Sequence, residues 1–206
     1  MTDATREELV RRGIYLSYAT IGYNSLEAIA SLIAGLIAGS VALIGFGIDS
    51  LVEVTASGVA QWRLRADLHE ARRAQVESIT HRIVGFCFLA LAAYVVVDSG
   101  KTLWFRERPD RTIAGIVILS MSVVVMPLLA RAKLKVASAM QSGALQAEAR
   151  QTSLCAYLSI IALVGVLLNA TLGWWWADPV AALCMVPIIM SEGIDGLRAK
   201  PCDDCC

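Results

Sequence analysis

Two acids stand where few acids belong. Asp49 and Glu53 lie four residues apart in a run from Ser40 that is otherwise apolar or small. On a helix that spacing puts both carboxylates on one face, about one turn from each other. Two like charges so close in a low-dielectric medium repel, so one must take up a proton or a cation must sit between them. A divalent metal ion resolves the conflict. The competing reading is an ion pair with a basic residue of another helix, and Arg150 is the only one expected at similar depth. A second stripe is formed by Glu148, Gln151 and Cys155, spaced by three and then four residues. Carboxylate, amide and thiol all ligate metals, although Cys155 alone also reads as a small buried apolar residue. Arg150 falls on another face, with a side chain long enough to reach the membrane surface.

The elements that carry these residues follow from bulk composition. A chain of 206 residues that is 57% hydrophobic and 17% charged has more apolar surface than one soluble core can hide. Stretches long enough to span hydrocarbon, about 20 residues each, fall at 13 to 37, 40 to 62, 82 to 104, 112 to 131, 146 to 171 and 174 to 197. The predicted fold class is therefore an all-α integral membrane protein with six transmembrane helices. It is divided into a cytoplasmic N-terminal segment (1–12), the transmembrane domain (13–200) and a Cys-rich cytoplasmic tail (201–206). The first apolar run is too long for a signal core and contains Asn24 and Glu27, so it reads as a retained helix. Lys101, Arg106, Arg108 and Arg111 fall on one side, and the other basic residues, including the patch Arg131, Lys133 and Lys135, fall on the opposite side or at helix ends facing it. The basic-rich side is expected to be cytoplasmic, with both termini inside a plasma (inner) membrane. Trp62, Trp104, Trp174, Trp175 and Trp176 sit at helix ends, where they anchor at the headgroups.

Each acid at a helix centre costs on the order of 2.5 to 3.5 kcal/mol on insertion scales, so intramembrane acids read as functional. The offset of 102 residues maps Ser40, Ala42 and Leu43 onto Ser142, Ala144 and Leu145, and places Asp49 and Glu53 opposite Gln151 and Cys155. Two halves of three helices would then form a three-plus-three inverted repeat with an ion site near the midplane. Glu27 is a further acid that could face the pathway, while Asn24 reads equally as a hydrogen-bonding partner for a neighbouring helix. Asp98 lies near a helix end. Asp178 before Pro179 reads as the N-cap of the sixth helix, with proline at its first position.

These residues resemble the cation diffusion facilitator (cation efflux) family. The resemblance rests on Ser40, Ala42, Leu43, Asp49 and Glu53 in the second helix, the Ser142, Ala144, Leu145 start of the fifth, and Gly173 with Asp178-Pro179 opening the sixth. It implies efflux of a divalent metal ion in exchange for protons, by a homodimer in the lipid bilayer. The transported ion would be held by Asp49, Glu53, Gln151 and Cys155. The family usually has histidine and aspartate where Gln151 and Cys155 stand, and Glu148 matches an acid often found three positions earlier. A thiolate among carboxylates favours zinc or cadmium, and without the thiol the oxygen ligands would suit manganese or iron. The family also implies an accessory metal in the loop bearing Asp67 and His69, which with Glu70 and His81 otherwise reads as solvated.

This sequence resembles a short form that lacks the family's C-terminal cytoplasmic domain. Its ending, Cys202, Asp203, Asp204, Cys205 and Cys206, could collect soft metal, serve as a lipidation signal, or have no role. No resident cofactor, enzymatic nucleophile arrangement or nucleic-acid footprint is found in the sequence. The rival class is a transport-inactive metal-binding membrane protein acting as a sensor or partner.

Overall fold

A computed structural model describes residues 3–65, 70–140 and 143–198. The described residues form six α-helices: α1 (Asp3–Ala38), α2 (Val41–Arg65), α3 (Glu70–Phe105), α4 (Ile113–Met140), α5 (Gly143–Leu172) and α6 (Ala177–Arg198). Each contains a stretch long and apolar enough to cross a membrane. Several run past the lengths expected from hydropathy alone. The polar residues from Asp3 continue into α1, part of the charged stretch before Arg82 continues into α3, and α4 extends nine residues beyond Arg131. Once a helix is nucleated, each added residue gains a backbone hydrogen bond, so charge alone does not stop it.

Contacts among α1, α2, α5 and α4 close into a ring of four helices, and α3 pairs with α6 outside it, against α2 and α5. Exchanging α1 with α4, α2 with α5 and α3 with α6 leaves the main pairings unchanged, as two related halves of three helices would. Lipid is as apolar as a leucine side chain, so close backbone approach rather than hydrophobic exclusion holds such helices together. A Cβ on Gly165 of α5 would come within 2.5 Å of the Ala181 Cβ on α6, which leaves room only for glycine there.

The connections at one end of the bundle are tight. α1 ends on Gly39 in the left-handed conformation, with the Ser40 amide donating to the Gly35 carbonyl at 3.0 Å, and Gly173 plays the same part after α5. Ser40 then caps α2 by accepting from the Leu43 amide at 3.2 Å. The same end is stitched by the Asp110 amide to the Ala38 carbonyl at 2.7 Å and by the Asn169 side chain to the Pro109 carbonyl at 3.0 Å.

Asp178 departs from the sequence reading. α6 starts at Ala177, so Asp178 lies inside its first turn rather than at its N-cap. Its carboxylate crosses to α2, accepting from the Ser40 hydroxyl at 2.6 Å and from the Ala42 amide at 3.5 Å. An acid of one helix thus caps another, and it is buried while doing so. Local sequence favours self-capping, but Pro179 needs no amide partner and the free amides of α2 lie within reach.

Trp104, Trp174 and Trp176 are exposed, Trp104 most of all, Trp175 is half-buried, and Trp174 stacks on Trp176 with ring centroids 5.2 Å apart. Replacing Asp178 by Ala leaves the Ser40 hydroxyl and the Ala42 amide without their acceptor, which should cost about 1–3 kcal/mol. A lower thermal unfolding midpoint in detergent, partly recovered by Asp178→Asn, is the expected result.

Candidate functional site

The ring of four helices is apolar inside near its tight end and polar further along. Near that end Leu43 and Phe46 of α2, Leu119 of α4 and Met185 of α6 share one buried cluster. Further along, α1 turns a stripe of Ser17, Thr20, Asn24, Glu27 and Ser31 inward, all buried, and presents Leu26, Ile29, Ile33 and Leu36 outward. The spacing of three and four puts one helix face in each environment. The helix is therefore polar towards protein and apolar towards lipid.

α2 brings Asp49, Ser50 and Glu53 to this seam, and α5 brings Glu148, Thr152 and Cys155, all buried. Cys155 of α5 approaches Asp49 and Glu53 of α2 across the seam. Asn24 of α1 approaches Glu53, yet neither its Oδ1 nor its Nδ2 makes a hydrogen bond, and Glu53 Oε2 has no partner either. Glu27 accepts from the Ser50 hydroxyl at 3.0 Å through Oε2, while its Oε1 is buried without a partner. Gln151 is half-buried, its Nε2 also unpartnered. Among the described residues no three His, Cys, Asp or Glu side chains converge into a ready-made metal cage. The groups form a column, not a closed centre.

Glu148 is held differently. Its Oε1 is 2.8 Å from the Lys133 ammonium of α4, and the Ser17 hydroxyl lies 3.2 Å from both carboxylate oxygens. The Thr152 hydroxyl accepts from Lys133 at 2.9 Å and donates to Glu53 Oε1 at 2.6 Å. A continuous polar chain therefore joins Lys133 to Glu53.

Two readings from the sequence are corrected here. Lys133 does not belong to a surface basic patch but is fully buried, and it, not the exposed Arg150, is the cation at the depth of the acids. The signal is present in the sequence. Met126, Ala130, Lys133 and Ala137 are spaced by four, three and four, so Lys133 lies on the inward face while Arg131 and Lys135 point away. Sequence reasoning also misses Thr152, Ser17 and Ser50. They are small hydroxyl residues, common in membrane helices, whose roles emerge only from what they touch. Asp98 accepts a hydrogen bond from the Tyr94 hydroxyl at 3.2 Å on its own helix, away from the seam. Asp67, His69, Cys202, Cys205 and Cys206 lie outside the described residues, as do the side chains of Glu70 and His81.

Thr152→Val keeps the shape of the side chain and removes the hydroxyl between Lys133 and Glu53. The variant should lose about 1–3 kcal/mol of stability, read as a lower unfolding midpoint, whereas Thr152→Ser should stay close to the parent.

Residues 17–199 match the family model described as the cation efflux transmembrane domain. The chain is also 28% identical over 169 residues to the magnetosome protein MamB of Paramagnetospirillum magneticum (strain ATCC 700264 / AMB-1), a match covering 79% of this chain and 57% of that protein. The chain therefore spans a little over half the length of the curated relative it matches.

Proposed function

The chain belongs to the cation efflux family, whose members are transporters rather than enzymes, and on that premise we propose that it moves a divalent metal ion, zinc or cadmium first, out of the cytoplasm. The observation that carries this reading is the set of buried oxygens without hydrogen-bond donors, Glu53 Oε2, Glu27 Oε1 and Asn24 Oδ1, beside Asp49 and Cys155. Buried acceptors left unmet are costly, and a cation is the ligand that satisfies several at once.

In this reading Asp49 and Glu53 supply the charge that binds the ion, and Cys155 supplies the soft ligand that favours zinc or cadmium. Gln151 completes the set by rotating its amide oxygen inward, and Asn24 offers another oxygen. An open column suits transit better than a cage does, because a transported ion must leave as readily as it enters. Carboxylate and thiol ligands are deprotonated when they hold a metal, so loading releases protons and exchange of metal for protons follows. Both termini face the cytoplasm, in keeping with the placement of the basic residues. The working unit is a homodimer, a reading that rests on the family resemblance.

A second reading has a specific support. With Glu148 tied to Lys133, the groups that remain are mostly oxygens, and if Cys155 stays outside the coordination sphere they suit manganese or iron. A transport-inactive metal-binding role is the remaining rival, favoured by Gln151 where the family usually has histidine.

One assay separates these readings. Uptake of zinc, cadmium, manganese and iron into proteoliposomes with an imposed proton gradient should be fastest for zinc or cadmium. Asp49→Ala should lower that flux at least tenfold, and Cys155→Ser should shift preference towards manganese. Flux of no ion by correctly inserted protein rejects transport and leaves the metal-binding role.

A further inference from the structure

Lys133 is the buried cation of the seam among the described residues, and four acids, Glu27, Asp49, Glu53 and Glu148, are buried there with it. An ammonium is rarely carried so deep unless paired, and a purely structural pair would need only Glu148. Lys133 does more than that. It is the positive charge acting on Glu53, and the Thr152 hydroxyl, accepting from it at 2.9 Å and donating to Glu53 at 2.6 Å, joins the two through hydrogen bonds. The lysine stem comes from α4, while the groups it serves come from α2 and α5.

We propose that Lys133 is a tethered counter-cation that competes with the transported ion for the carboxylates of the seam. The inference rests on the reading of Asp49 and Glu53 as the ion site. With no ion present, the ammonium neutralises Glu148 and partly neutralises Glu53. A divalent ion arriving at Asp49 and Glu53 works against that positive charge, so it binds less tightly than the acids alone would allow. Lys133 is thus a positioning residue that sets affinity from outside the coordination sphere. It keeps the site from holding its ion too firmly to release it, and it lets the bundle carry several acids through hydrocarbon between loadings.

The sign of the effect separates this role from a structural one. Loss of a merely structural ion pair would leave metal affinity unchanged or lower it, whereas loss of a competing charge raises it. The measurement is equilibrium binding of zinc to the full chain in detergent, by calorimetry, for the parent, Lys133→Gln, Lys133→Arg, Glu148→Gln and the double variant Lys133→Gln/Glu148→Gln. Lys133→Gln should bind zinc at least tenfold more tightly than the parent, and Lys133→Arg should stay within about threefold of it. The double variant should bind at least tenfold more tightly than Glu148→Gln alone. That last comparison shows that the effect reaches Glu53 and is not merely Glu148 set free as a ligand. The double variant also removes both partners of the ion pair, so neither is left without the other, and it keeps the test open should Lys133→Gln fail to fold. Unchanged or weaker binding on removal of Lys133, in either background, overturns the proposal while leaving the ion site standing. A parent that binds neither zinc nor, when titrated in the same way, cadmium or manganese rejects the ion site itself and the proposal with it.

Discussion

The pairing of Lys133 with Glu148 sets terms that the surrounding helices must meet. A bilayer core offers no water to solvate a charge, so an ammonium and a carboxylate can stay there only if protein closes around them and supplies every remaining partner. Ser17 of α1, Thr152 of α5 and Glu53 of α2 do so, which commits the four ring helices to one another. α3 and α6 stand outside the ring, and among the described residues they send no charged side chain into this network. Coulomb attraction inside low dielectric is strong, but removing either partner would leave the other exposed to the full desolvation penalty. The network therefore acts as a lock on the bundle as well as a charge balance.

That satisfaction stops at Glu53, whose second oxygen opens onto a region that lacks it. Asn24, Glu27 and Glu53 keep buried polar atoms without hydrogen-bond partners, and Gln151 does so on the next helix. Soluble cores rarely tolerate such a cluster. Here the contrast between the two regions is informative, because the same helices that pair Lys133 with Glu148 and Thr152 leave acceptors open a turn or two away. Selection for stability alone would have no reason to stop halfway. The proposed ion site would supply one.

How much of this is legible in the sequence depends on how unusual each residue is. Asp49 and Glu53 stand out because acids are rare in apolar helices, and their spacing alone places them on one face. Six helices follow from the length of the apolar runs. Lys133 is hidden because Arg131 and Lys135 flank it, and a cluster of basic residues near a helix end looks like surface charge. Only the rotation of about 100° per residue, applied to each one separately, sets Lys133 apart from its neighbours. Asp178 misleads for a different reason. Its local sequence fits a self-cap, and nothing within α6 reveals that the free amides of α2 compete for it. The small hydroxyl residues carry no signal of their own, because serine and threonine in membrane helices most often bond to their own backbone, as Ser25 and Thr171 do.

The bond from Asp178 to Ser40 bears on how the molecule could move. It fastens the start of α2 in the ring to the start of α6 in the outer pair, at the end where the connections are tight. A carboxylate buried there cannot lose its donors cheaply. Any tilt of the outer pair against the ring must therefore keep this contact as a fulcrum, so that displacement is smallest beside it and grows along the helices towards the far end. Asp49 and Glu53 sit about two and a half and three and a half turns along α2 from that pivot. The acids thus lie between the pivot and the opposite face of the membrane, where such a tilt displaces them less than it displaces that face.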